Sequence, residues 1–194
     1  TPQIDLTSDN SSELIFIDLA KGKKRMGGSI AFQVSSQFLG SVPDVECVKE
    51  MPKLVEALHQ LIKEKKIIAY HDRSDGGLIC SLLEMAFAGR SGLDIKLDQI
   101  CESYDQTFEA LFNEELGIVI QVPTKHIEEV LNLVSEVGLN KNVFRIASPN
   151  KSKLIKLYRG KELAFEWKLE DLLKEWNFVS YKMQSLRDNP ETAK

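Results

Sequence analysis

The sequence predicts an α/β domain: a mixed β-sheet layered with helices, with some α+β character. Three observations predict it. Short apolar runs alternate with amphipathic stretches between residues 13 and 137, the pattern of strands and helices sharing one layered core. Three closely spaced strand-like runs follow at 143–147, 154–158 and 163–167. Their short turns favour hairpins and exclude a purely parallel sheet. The 194 residues, 43% hydrophobic and 28% charged, are ordinary for a soluble globular chain and suffice for one substantial core or two small ones.

Residues 1–12 are polar and read as a linker. Leu14-Ile15-Phe16-Ile17-Asp18-Leu19 is a compact apolar run, expected as a buried strand. A basic glycine loop, Lys21 to Ser29, leads into a predicted helix over 30–39. Apolar residues at Met51, Leu54, Val55, Leu58, Leu61 and Ile62 mark an amphipathic helix over 48–65. A strand at 67–70, a polar turn and an apolar helix at 77–88 come next. Alternation predicts a strand at 92–97, and 104–112 reads as a helix. Residues 117–122 are rich in β-branched side chains and stop at Pro123, a strong strand signal. Thr124 is the expected cap of a helix through Val137, supported by Glu128 and ended by Gly138. The last helix is expected over 169–187, stopped at Asn189-Pro190. The division is therefore a linker at 1–12, an α/β domain at 13–168, and a C-terminal helix with the start of another linker at 169–194.

Net charge is −4, so no global basic field draws nucleic acid, and an anionic partner must be gripped locally. No apolar run approaches a membrane span and no secretion signal opens the chain. Cys47, Cys80 and Cys101 are odd in number and form no CxxC pair, which points to a reducing cytoplasm and away from a disulfide framework or zinc site. The start at Thr1 and the polar ends suggest a piece of a longer protein.

The most informative segment is His71-Asp72-Arg73-Ser74-Asp75-Gly76-Gly77, between a strand and a helix. Helix starts present N–H donors and a positive dipole end to anions. Yet Asp72 and Asp75 repel phosphate unless a cation lies between. A nucleotide phosphate held through Mg²⁺, an ion that takes oxygen ligands, is the economical reading. His71 is a candidate base or phosphate contact. The alternative is an ordinary corner in which Asp75 caps the helix and Gly76-Gly77 permit the turn.

Gly22, Gly27 and Ser29 imitate a phosphate-binding P-loop, but Gly28 stands where that motif needs its lysine, so the P-loop is rejected. Lys23, Lys24 or Arg25 reaching a phosphate remains a looser option beside a simply hydrated loop. Asn113, Glu114 and Glu115 are candidate cation ligands, with a helix end followed by a turn glycine as the alternative.

Four segments in order carry a resemblance: 71–78 with its HDRSDGGL run, Glu84-Met85-Ala86-Phe87-Ala88-Gly89, Leu111-Phe112-Asn113-Glu114-Glu115-Leu116-Gly117, and Leu186-Arg187-Asp188-Asn189-Pro190. Together they resemble the large form of the phosphoribosylformylglycinamidine synthase family. The match is to the C-terminal domain of its second half, a module shared with aminoimidazole ribonucleotide synthetase. The resemblance implies an ATP- and glutamine-dependent ligase of purine biosynthesis, acting on formylglycinamide ribonucleotide. It implies a β-rich synthetase domain and a glutaminase domain elsewhere in the same polypeptide. It implies Mg²⁺ and ATP or ADP as cofactors, Asp72 as a metal ligand and Ser74 as a nucleotide contact. His71, Asp75, Gly76 and Gly77, in the same turn, are candidate secondary contacts. No catalytic side chain is assigned. The resemblance also implies an isolated chain without turnover, one whose bared faces favour self-association. A non-catalytic module holding an auxiliary nucleotide is the alternative. A third reading is a different member of the same superfamily, such as a selenophosphate synthetase or thiamine-phosphate kinase; the Phe112–Gly117 segment and the Leu186–Pro190 end argue against it.

Overall fold

The computed structural model describes residues 1–6, 11–188, 190 and 191. Its centre is a seven-stranded sheet in the order β2-β4-β1-β5-β3-β6-β7. The strands are β1 (Ser12–Asp18), β2 (Ala69–Asp72), β3 (Gly92–Lys96), β4 (Gly117–Pro123), β5 (Val143–Asn150), β6 (Leu154–Arg159) and β7 (Glu162–Lys168). Only β3 and β6 pair in parallel; every other neighbour is antiparallel. The sheet is mixed, as expected, by that single pair. One expected hairpin forms, between β6 and β7. β5 instead lies between β1 and β3, so the connection to β6 passes over β3.

The described residues form six α-helices, α1 (Ile30–Val34), α2 (Met51–Lys63), α3 (Gly77–Gly89), α4 (Thr107–Phe112), α5 (Ile127–Glu136) and α6 (Leu169–Arg187), of which α1 buries no residue. Strand alternation sends Leu14, Phe16 and Val119 toward α3 and α4. It sends Ile15, Ile17, Ile118 and Ile120 toward α2 and α5. β1 is therefore covered on both faces, which is why its sequence is a continuous apolar run. α3 is buried on nearly all sides, the environment its lack of a polar face requires.

Several boundaries differ from expectation. α1 stops at Val34 rather than Leu39. The Ser35 hydroxyl donates to the Ala31 carbonyl oxygen at 2.6 Å and Ser36 turns left-handed at φ 56°, so local side-chain bonding and backbone reversal end the helix. Thr124 does not cap α5. It lies in a 3₁₀ turn, and its hydroxyl donates to the Ser11 carbonyl oxygen at 2.7 Å. Residues 104–106 are likewise 3₁₀, with α4 beginning at Thr107. The strand expected at 67–70 runs over Ala69–Asp72, so His71 and Asp72 belong to it.

Residues 1–6, expected within the linker, lie against the sheet. Ile4 is buried in the α3-side core. Buried Gln121 holds Asp5 by two bonds, accepting from its N–H at 2.8 Å and donating to its carbonyl oxygen at 2.7 Å. The Thr1 carbonyl accepts from the Tyr70 N–H at 2.9 Å, on edge strand β2. At the other end α6 buries only Leu169 fully and leaves Trp176, Val179, Met183 and Leu186 exposed. Of the expected Asn189-Pro190 stop, Asn189 lies outside the described residues. No helix among the described residues is long and apolar enough to cross a membrane.

Candidate functional site

β1 and β2 both run antiparallel to β4, so their C-terminal ends and the start of β4 share one end of the sheet. Three connections meet there: the basic glycine loop after β1, the acidic turn after β2, and Asn113–Leu116 before β4. Most of the predicted site residues therefore do come together.

Asp72, the last residue of β2, is exposed. Its Oδ1 accepts from the Tyr70 hydroxyl on the same strand face, and its other oxygen has no partner among the described residues. Burial first, and Asp72 second, push the Tyr70 phenol upward, so it stays protonated and remains a donor. Ser74 is exposed; its hydroxyl donates to the Asp72 carbonyl oxygen at 3.2 Å. Buried Ser81 donates to the same oxygen at 3.0 Å, tying the turn to α3. His71 Nε2 lies 2.8 Å from Glu84 Oε2 and its Nδ1 lies 2.6 Å from the Asp72 carbonyl oxygen. Both ring nitrogens face acceptors, which leaves no lone pair aimed outward to act as a base.

Asp75 is exposed and does not cap α3: that position belongs to Gly76, at φ 81°, with no side-chain cap. The alternative of a corner capped by Asp75 is thus replaced by a different arrangement. The Gly76 N–H donates to Glu114 Oε1 at 2.7 Å, and the Ile30 N–H donates to the same oxygen at 2.9 Å. Gly77, at φ 76°, is required by close approach as well as by conformation. A Cβ there would stand 2.6 Å from the Leu111 carbonyl oxygen.

Arg73 points inward. It donates to Asp18 Oδ1 at 3.0 Å, to the Leu116 carbonyl oxygen at 2.9 Å and to the Glu115 carbonyl oxygen. Its guanidinium lies 4.9 Å from the Phe16 ring centroid. Burial lowers its pKa, while Asp18 opposes that shift. Asp18 also accepts from the Gly22 N–H at 2.6 Å and the Ala20 N–H at 3.2 Å. This buried pair joins the acidic turn to the basic loop, and residue patterns missed it. The available signals were a carboxylate ending an apolar run and one arginine within an acidic turn.

The basic loop is mostly neutralised. Lys21 pairs with Glu50 at 2.8 Å, Lys23 with Glu46 at 2.7 Å, and Arg25 with both Glu46 and Glu115. Glu115 is fully buried and holds Arg25 through both oxygens, at 2.5 and 2.8 Å. Glu115 is therefore committed to an ion pair. Asn113 is buried; its Nδ2 donates to the Glu109 carbonyl oxygen at 2.5 Å and its Oδ1 accepts from the Glu115 N–H at 3.2 Å. Neither is free to hold a cation. Among the described residues no three His, Cys, Asp or Glu side chains converge as a metal site.

Two cavities flank this end. One of about 380 Å³ borders Asp75, Gly76, Cys80, Glu84 and Trp176. Burial pushes the Cys80 thiol up, with Glu84 and Glu114 adding to it, so this side is electronegative. The other, about 420 Å³, borders Asp18, Arg73, Lys23, Lys24 and Asn113.

The fold and this three-loop end define a class. Residues 18–158 match the family described as AIR synthase related protein, C-terminal domain, and the chain belongs to that family. It is 43% identical over its whole length to the phosphoribosylformylglycinamidine synthase of Schizosaccharomyces pombe, of which it spans 15%. Among solved structures it is similar to Thermotoga maritima PurL complexed with ATP, with a TM-score of 0.62, 15% identity, and coverage of 87% of this chain and 26% of that one. It is also similar to Escherichia coli HypE, a hydrogenase maturation protein, with a TM-score of 0.55, 19% identity, and coverage of 87% and 50%. The likeness to these two structures shows a shared fold.

Proposed function

We propose that the chain is a domain of a phosphoribosylformylglycinamidine synthase and lends the end of β2 to a Mg²⁺–nucleotide site. The carrying observation is 43% identity to such an enzyme along the entire chain. A structural neighbour named as complexed with ATP supports a nucleotide. The donor set fits one coordination position for a hard cation: Asp72 is exposed and keeps one oxygen without a partner. Other oxygen ligands would come from the rest of the polypeptide, in line with the lack of a three-carboxylate cluster among the described residues. A bound Mg²⁺ would screen phosphate charge from Asp72 and Asp75. Ser74, on the same turn, would donate its hydroxyl to the nucleotide. The β-rich synthetase domain, the glutaminase domain supplying nitrogen from glutamine, and a cytoplasmic setting belong to this proposal. So does an isolated chain inactive as an ATP-dependent carbon–nitrogen ligase. The apolar residues exposed on α6 suit burial against such neighbours, or self-association without them.

A second reading has one observation in its favour. His71 is held between two acceptors, so the turn presents no free base, and a nucleotide there could remain intact and bind the domains together. Asp72→Asn in the full-length enzyme separates the two. Loss of turnover with unchanged melting supports a reacting nucleotide. A lower melting temperature in Mg-ADP with turnover largely kept supports an auxiliary one. An Asp72→Asn enzyme with normal Mg-nucleotide binding would falsify both.

A further inference from the structure

We propose that Glu114 is a positioning residue that fixes the geometry of the Asp72–Ser74 turn by clamping two glycine turns with one carboxylate. This rests on the nucleotide reading above and deepens it. One oxygen, Oε1, accepts from the Gly76 N–H at 2.7 Å and from the Ile30 N–H at 2.9 Å. The two donors come from separate connections, one opening α3 and one opening α1. The first donor is itself a left-handed glycine, Gly76 at φ 81°, and the second lies two residues past another, Gly28 at φ 79°, which leaves the path of each turn to be set by its contacts. The N-cap residue Gly76 has no side chain with which to cap α3, and its own backbone N–H is held by Glu114.

The clamp itself is held on both sides. Asn113 and Glu115 are buried, the former fastened to the Glu109 carbonyl oxygen and the latter to Arg25. Glu114 thus stands on a fixed backbone, and its side-chain length matches the distance to both donors. The clamp has an electrostatic consequence. The Gly76 N–H at the start of α3 is already given to an internal anion, so a phosphate arriving at the turn meets Asp72, Asp75 and Glu114 and approaches by way of the cation rather than that donor.

The test uses the full-length enzyme and Mg-ADP binding measured by calorimetry. Losing an acceptor shared by two backbone donors is expected to weaken Mg-ADP by about tenfold in Glu114→Ala. Glu114→Asp keeps the charge but is one methylene short, and it is expected to behave like the alanine variant. Glu114→Gln keeps a carbonyl oxygen at the same reach and is expected to restore binding to near wild type. The rescue by Gln and not by Asp is what a general loss of stability would not produce. Should Glu114→Ala fail to fold, the Asp and Gln pair decides. Wild-type affinity in the Ala or Asp variant overturns the clamp, and so does a Gln variant as weak as Asp. Asp72→Asn measured in parallel separates the two levels. If Asp72→Asn binds Mg-ADP normally, the nucleotide reading fails; if it loses binding while Glu114→Asp does not, only the clamp fails.

Discussion

The acidic turn after β2 and the basic loop after β1 sit at one end of the sheet and look like opposites in sequence. Folding reverses their availability. The loop brings four cations within Lys21–Arg25, yet three of them are taken by Glu46, Glu50 and Glu115. The turn, which charge repulsion alone would mark as hostile to a nucleotide, keeps Asp72 and Asp75 exposed while its one cation, Arg73, is buried against Asp18. A local count of charge thus misjudges what a segment offers. Availability depends on which partners the fold delivers, and these came from Glu46, Glu50 and Glu115, distant in sequence or in the opposite connection.

The largest expected effect breaks the link between the two regions. Arg73→Ala strands Asp18 in a buried position, and loss of one partner of a buried pair costs about 3–5 kcal/mol; urea unfolding measures it. Next come matched glycine substitutions, one in each region. Gly77→Ala combines a positive φ with a Cβ that collides with the Leu111 backbone, so it is expected to cost about 3 kcal/mol or more. Gly28→Ala has a similar φ but open space around its Cβ, so only the conformational cost of about 1–2 kcal/mol remains. Equal losses at the two positions would remove the distinction between a packed turn and an open loop.

A smaller effect is pH-dependent. Lys23 and Lys21 hold the Glu46 and Glu50 carboxyls below the usual glutamate range. A carboxylate whose folded pKa is depressed adds stability that is complete above its unfolded value, about 4.3. That stability is lost as pH falls through the folded value. The Lys21→Ala, Lys23→Ala double variant should therefore unfold slightly earlier than wild type at pH 6. In strong acid the difference should disappear. These pairs are exposed, so high salt should erase most of the difference as well. The smallest effect is expected from Asp72→Asn without nucleotide: unchanged melting, because the lost charge faces solvent. A large loss would show that Asp72 serves the fold rather than a ligand.

Much of this was legible in the residues. β1 and β4 announce themselves by apolar, β-branched runs, and α2 by its amphipathic spacing. Turn residues placed the acidic corner between a strand and α3. The resemblance across 71–78 and 111–117 pointed to the family that residues 18–158 match. What could not be read was pairing over distance. Nothing near Ser35 or Thr124 says that one hydroxyl will bind its own helix and the other Ser11. Nor does the polar look of residues 1–6 disclose that Gln121 will hold Asp5.

Sequence by itself determined most of the element types, the burial of β1 and the crowding of oxygen ligands at the end of β2, because propensity, period and turn chemistry act over a few residues. Tertiary structure alone decided that β5 separates from β6, that Arg73 belongs to Asp18, and that Glu114 closes two glycine turns at once. Those outcomes depend on which strands lie side by side and which loops share an end of the sheet. Such proximity follows from packing the whole chain, so no short stretch of residues encodes it.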